Sequence, residues 1–156
     1  MQAKKHIAGI LLGSLLLSGC ASNPMVAIYN DNERIASTSN SYNLDHVEQE
    51  IMDGQLTASV ERLEGMETIW TYSSDTDKEI SISYDINIFS GVLKIVLITP
   101  DGEVNIIEEY SAGTQEFAQS ILNVQSGNNR IKLVAGKDTK FDIEISIEEG
   151  EFSEIG

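Results

Sequence analysis

Cysteine, histidine and positive charge are all scarce in this chain. Cys20 is the single cysteine among 156 residues, so an intrachain disulfide is excluded and the fold must be held by its core. The histidines are His6, within the N-terminal leader, and His46; if the leader is removed, His46 is the one base for a Ser-His-Asp or Cys-His constellation, and no G-x-S-x-G elbow accompanies it. The same shortage argues against zinc, which takes several His and Cys ligands. Phosphate-cradling glycine loops are missing. Ten basic residues face 25 acidic ones, a formal net charge of −15, and such a field disfavours nucleic acid and polyanions as partners. Cations, basic proteins and basic peptides stay open, beside the plainer reading of a solvated acidic surface.

The leader is what the chain does have. Lys4, Lys5 and His6 form a basic start, Ile7 to Leu17 an apolar run, and Ser18 and Gly19 a small-residue cleavage region, the layout of a secretory signal. The run is too short for a spanning helix, which takes roughly 20 apolar residues. With Leu17-Ser18-Gly19-Cys20 at its end, the segment resembles the signal peptide and lipobox of bacterial lipoproteins. The resemblance covers residues 1–20 only. It implies that residues 1–19 are removed and that Cys20 receives thioether-linked diacylglycerol and further acylation such as palmitate. An ordinary secretory signal followed by a free thiol is the alternative. Two acyl chains anchor stably where one binds marginally, so the expected partner is a membrane, held through Cys20 without spanning. The expected place is extracytoplasmic: the outer face of the plasma membrane, or the outer membrane of a Gram-negative cell, since Ala21 is not the Asp that marks inner-membrane retention there.

Beyond the leader, Ser, Asn, Asp and Thr dominate residues 20–43, which predicts a lipidated N-terminus on a flexible tether with a reach of roughly 25 to 30 Å. Met25 to Tyr29 is a short apolar exception that could pair as an edge strand. Residues 44–156 read as one domain. Leu44, Val47 and Ile51 suit a helix face or a strand. A two-residue period then takes over: Leu56 to Leu63, a turn at Glu64-Gly65, and Met66 to Tyr72. Ile80, Ile82, Tyr84, Ile86 and Ile88 alternate with polar residues as the clearest half-buried strand. Val92 to Thr99 is apolar on both faces, a central covered strand, and Pro100-Asp101-Gly102 turns it into Glu103 to Tyr110. Residues 114–122 predict a loop or helical turn leading to a strand from Ser120. Ser126 to Asn129 predicts a hairpin turn. Arg130 to Ala135 and Lys140 to Ile147 give two last strands, and Glu149 to Gly156 a frayed end. The fold class is all-β, an antiparallel β-sandwich or jelly roll of about eight strands. Its core should include Ile82, Ile86, Ile95, Leu97, Ile143 and Ile145.

Little in the domain carries chemistry. Trp70 and Tyr72 share a strand face and are candidate sugar-stacking residues if exposed, or core packing if buried. Asp75, Asp77 and Glu79 offer oxygens at alternate loop positions, a candidate calcium site, although Ile80 and Ile86 break the EF-hand pattern. Arg130 reads as a packed or paired strand residue. The expected function is a non-catalytic binding or structural component of the cell envelope, meeting an envelope protein or a glycan. A carbohydrate- or calcium-binding module is the alternative, and a glycan-acting enzyme a third reading.

Overall fold

The computed structural model describes residues 22–156; the signal segment and Cys20 lie outside them. Eight strands follow a short N-terminal pair of helical turns: a 3-10 helix at Val26–Asn30, α1 at Asn32–Ala36, then β1 Ser41–Met52, β2 Gln55–Ser74, β3 Lys78–Ser90, β4 Val92–Ile98, β5 Val104–Ser111, β6 Gln115–Val124, β7 Gly127–Ser146 and β8 Glu151–Phe152. All pairings are antiparallel.

Two strands of 20 residues each, β2 and β7, run the length of the fold and pair with one another. The sequence alone predicts two strands for each, divided by a turn at Glu64-Gly65 in the first and between Ala135 and Lys140 in the second. Instead the chain bends without leaving the ladder, with register shifts between Val60 and Gly65. Gly65 makes this possible: its φ is +102° and an added Cβ would collide with the Ser41 carbonyl, so only glycine fits. Beyond the bend β7 changes partner. Its Arg130–Ala135 stretch pairs with β4, and its Lys140–Ser146 stretch with β3. One layer is therefore β1-β2-β7-β3-β6 and the other the far halves of β2 and β7 with β4, β5 and β8.

The inner faces of the two layers make one core. Ile82, Ile86, Ile95, Leu97, Ile143 and Ile145 all lie in it, none more than 3 % exposed. The antiparallel β-sandwich is thus the fold. Residues 44–52 are strand, and their helix-like spacing has a local cause: His46 sits at φ +25° and drops out of the pairing between Asp45–Arg62 and Val47–Val60. Leu44 and Val47 thereby reach the same core from positions three apart. Residues 115–124, expected to begin as a loop or helical turn, are strand throughout, paired to β3 along their length. Ser126 to Asn129 is a corner rather than a hairpin turn, since β6 pairs with β3 while β7 starts on β2. The C-terminus is also not frayed: Ile155 exchanges two bonds with the Gln49 side chain, at 3.0 and 2.8 Å, and is buried.

The largest departure is the expected tether. Residues 25–36 lie packed on the outer face of β4 and β7, where Ile28, Tyr29 and Ile35 cover Met66, Val96, Ile98 and Val134. Met25 to Tyr29 enters a 3-10 helix, not an edge strand. Cations hold the strap by its carbonyls. Lys132, wholly buried, donates to Ser37 O and Ser39 O at 2.8 Å each. Arg130 donates to Ala36 O and Ser37 O, and Lys94 to Tyr29 O at 3.1 Å while lying 4.1 Å over the Tyr29 ring. A polar segment can be buried this way because its backbone acceptors are satisfied by charged donors.

The fold has two poles. At one, the bends of β2 and β7 meet the crossings from β3 to β4 and from β5 to β6, where Ala112 N–H donates to Gly91 O and Gly113 N–H to Ile88 O. At the other, Ile147 N–H donates to Gly54 O, Ser126 N–H to Asp77 and Gln125 to Asp101. That second pole gathers the β1–β2 turn, the loop after β2, the Pro100 turn and the segment after β7.

Candidate functional site

A groove of about 620 Å³ opens toward this second pole, on the outward face of β3, β6 and β7. Strand alternation builds it. Ile80, Ile82 and Tyr84 point into the core, which turns Ser81 and Ser83 outward. Ser83 pairs with Ser146 of β7 on one side and Gln119 of β6 on the other, so a hydroxyl, a hydroxyl and an amide stand in a row across three strands. Ser81 pairs with Ile121, whose side chain is half exposed. Asp53 and Gly54 close one end, while Glu79, Glu148 and Glu149 form an acidic wall. A second cleft of about 370 Å³ lies between the free edges of β5 and β6, lined by Asn105, Ile106, Ile121 and Asn123.

The two aromatic residues singled out in the sequence stand behind this wall, not on it. Trp70 is fully buried, so it is no stacking platform for a sugar. Its indole N–H donates to Glu149 O at 2.8 Å, and its ring stacks on Tyr72 at 5.8 Å. Gly150, at φ +83°, passes so close that an added Cβ would lie 2.5 Å from the indole. Tyr72, half-buried, donates its hydroxyl to the Glu149 carboxylate at 2.6 Å, and Lys78 pairs with the same carboxylate. These two bonds hold the Glu149 carboxyl below the usual range, and the Lys78 ammonium is correspondingly raised. Glu149 thus stays ionised and paired, a wall residue rather than a proton donor. What the aromatics do is fix the turn that shapes the groove.

Asp75 and Asp77 of the loop after β2 and Glu79 of β3 do not gather as a metal site. Asp77 accepts from Ser126 N–H at 2.8 Å, Asp75 offers its backbone carbonyl to the Ser126 hydroxyl, and Glu79 has moved on to line the groove. Among the described residues no three His, Cys, Asp or Glu side chains gather as a metal site. The loop's oxygens serve to tie the β6–β7 corner. His46 stands exposed on β1, 3.5 Å from Glu48, and does not line the groove. Burial does raise one carboxyl, Glu67, but it accepts from the Gly156 N–H on the other layer. The groove was missed because its members are ordinary serines, a glutamine and an isoleucine; their only signal was the outward phase of the β3 alternation.

Neither a family model nor a curated protein matches the chain. Solved structures of similar fold include a family 29 carbohydrate-binding module mutant complexed with mannohexaose, at 17 % identity and TM-score 0.42 over 71 % of this chain and 81 % of that one. A family 4 carbohydrate-binding module gives 8 % identity and TM-score 0.41 over 73 % and 78 %. The C-terminal family 6 module of a laminarinase from Zobellia galactanivorans gives 15 % identity and TM-score 0.37 over 71 % and 94 %.

Proposed function

We propose that the chain is a non-catalytic binding module, held at the outer face of a membrane by lipid on Cys20, whose groove takes a neutral, hydroxyl-rich ligand of the glycan class. The groove carries the reading; at these scores the fold likeness to carbohydrate-binding modules adds nothing to it. Its volume of about 620 Å³ lies within the usual range of ligand pockets. Ser81, Ser83, Ser146 and Gln119 supply both donors and acceptors, and the acidic wall supplies acceptors, which is the complement a sugar's hydroxyls require. Half-exposed Ile121 offers apolar surface to the C–H face of a ring. The acidic field around it repels uronates and phosphates. No histidine lines the groove, and Glu149, held ionised by Lys78 and Tyr72, is unavailable there as a general acid. The lipobox Leu17 to Cys20 supports the membrane tether, and among the described residues no helix is long and apolar enough to cross a membrane.

Affinity electrophoresis through gels containing neutral polysaccharides tests the binding. The native chain should be retarded by at least one of them, and Ser83→Tyr, which fills the groove from an outward position, should migrate freely. Equal retardation of the variant, or none of the native chain by any neutral glycan, contradicts the proposal.

A further inference from the structure

We infer that the pole bearing the β2 and β7 bends rests on the bilayer and that the groove faces away from it. This depends on the lipid anchor proposed above and adds an orientation to it. The strap is pinned from its first described residues. Asn23 donates its side-chain amide to the Glu64 carboxylate at 2.5 Å and accepts from Met25 N–H at 3.0 Å. Glu64 sits buried at the bend of β2, where it also accepts from Asp138 N–H at the bend of β7 and from Asn43. Burial works against its charge, but these bonds and the Arg62 guanidinium outweigh it and hold the carboxyl below its usual range. The pin is therefore ionised and bonded at neutral pH.

Only Ala21 and Ser22 lie between Cys20 and Asn23, three chain steps that span at most about 11 Å however they run. A lipidated Cys20 thus brings the bend pole to the membrane, whereas a free coil of the whole segment would let the domain turn in any direction. The groove is carried outward on β7, whose stretch from Asp138 to Ser146 is roughly 26 Å long.

Charge is arranged to match. At or beside the bends Arg62 pairs with Asp45 and Lys140 with Glu61, and Lys137 adds a third basic residue. The other five basic residues of the described chain are Arg34, Lys78, Lys94, Arg130 and Lys132, and three of those five are spent on the strap's carbonyls. Half-exposed Phe89, with the Lys140 ammonium 5.7 Å from its ring centre, lies at the same pole. An end whose basic residues pair with acids and which carries an aromatic ring costs less against anionic headgroups than the acidic groove pole, which is repelled from them.

The lipidated full chain, reconstituted into vesicles of phosphatidylglycerol and phosphatidylethanolamine with nitroxide-headgroup lipid, reads this directly. A fluorophore is placed on Ala112→Cys in the β5–β6 turn at the bend pole or on Asn128→Cys at the start of β7 at the groove pole, both exposed positions, and flotation is checked first. The expected result is loss of emission at position 112 with emission at 128 unchanged. Floating protein quenched equally at both positions, at neither, or more at 128 overturns the orientation and leaves the anchor standing. Protein that does not float overturns the anchor and the orientation together.

Discussion

Lys132 gives the strap a pH signature. Its side chain is wholly buried beneath residues 37–39, with its ammonium on two carbonyls and 3.7 Å from Met66 Sδ. Burial, reinforced by the nearby Arg130 charge, lowers its pKa from 10.5 to about 8. Between those values the unfolded chain binds a proton that the folded chain has released, so stability rises with pH across the window. At ~1.4 kcal/mol per pH unit the full linkage is at most about 3 kcal/mol, of which about 2 falls between pH 8 and pH 10. The neutral amine still has two hydrogens for its two carbonyls, and the strap stays closed. Above pH 10 the sign reverses, because burial and the Glu109 carboxylate raise the Tyr29 hydroxyl and the unfolded tyrosine ionises first. Urea unfolding at pH 8, 9 and 10 on the native chain and on Lys132→Met isolates the effect, since every other titrating group is common to both. The native chain should gain about 2 kcal/mol relative to the variant over that interval. Parallel curves would mean that Lys132 is hydrated and that the strap does not cover it.

Other perturbations probe the remaining supports. Trp70 should emit at short wavelength, resist quenching by iodide and ignore added glycans; red-shifted, quenchable emission would place the indole at the surface. Trp70→Phe should keep the core but lose the bond to Glu149 O, destabilising the chain by about 1 to 3 kcal/mol in thermal or urea unfolding. Gly65→Ala meets both a positive φ and the Ser41 carbonyl, and should cost more than the roughly 1 kcal/mol of an ordinary glycine replacement; an unchanged urea midpoint would show that the bend is not fixed there. Cys20→Ser should abolish the diacylglyceryl mass found on membrane-extracted native protein, and an unmodified soluble native chain would refute the lipobox reading.

The β3 register was legible because one face is core and the other solvent, and a strict period of two survives in Ile80 to Ile88. Val92 to Ile98 was legible as covered on both sides, but what covers the outer side was not. The strap contributes only Ile28, Tyr29 and Ile35, with Met25 partly buried beside them, to apolar packing, too few to outweigh its polar composition. The available clue was Lys94 and Lys132 set inside apolar strand runs, cations that had to find acceptors. Glu64-Gly65 read as a turn, and the chain between Ala135 and Lys140 as a break between strands, because sequence does not distinguish a reversal from a bend within a ladder. Phe117 and Ile121 mimicked a helix because both are outward residues of a strand, four apart and half or more exposed. The groove escaped because its chemistry comes from the register between β3, β6 and β7, and no local pattern in the chain encodes that register.

Backbone amide shifts of the isotopically labelled chain, followed while neutral oligosaccharides are titrated in, test the groove most directly. The groove predicts perturbations confined to residues 79–83, 119–121 and 146–149, absent in Ser83→Tyr. Shifts centred on the cleft between β5 and β6 or on the strap, or none with any neutral glycan, would contradict it.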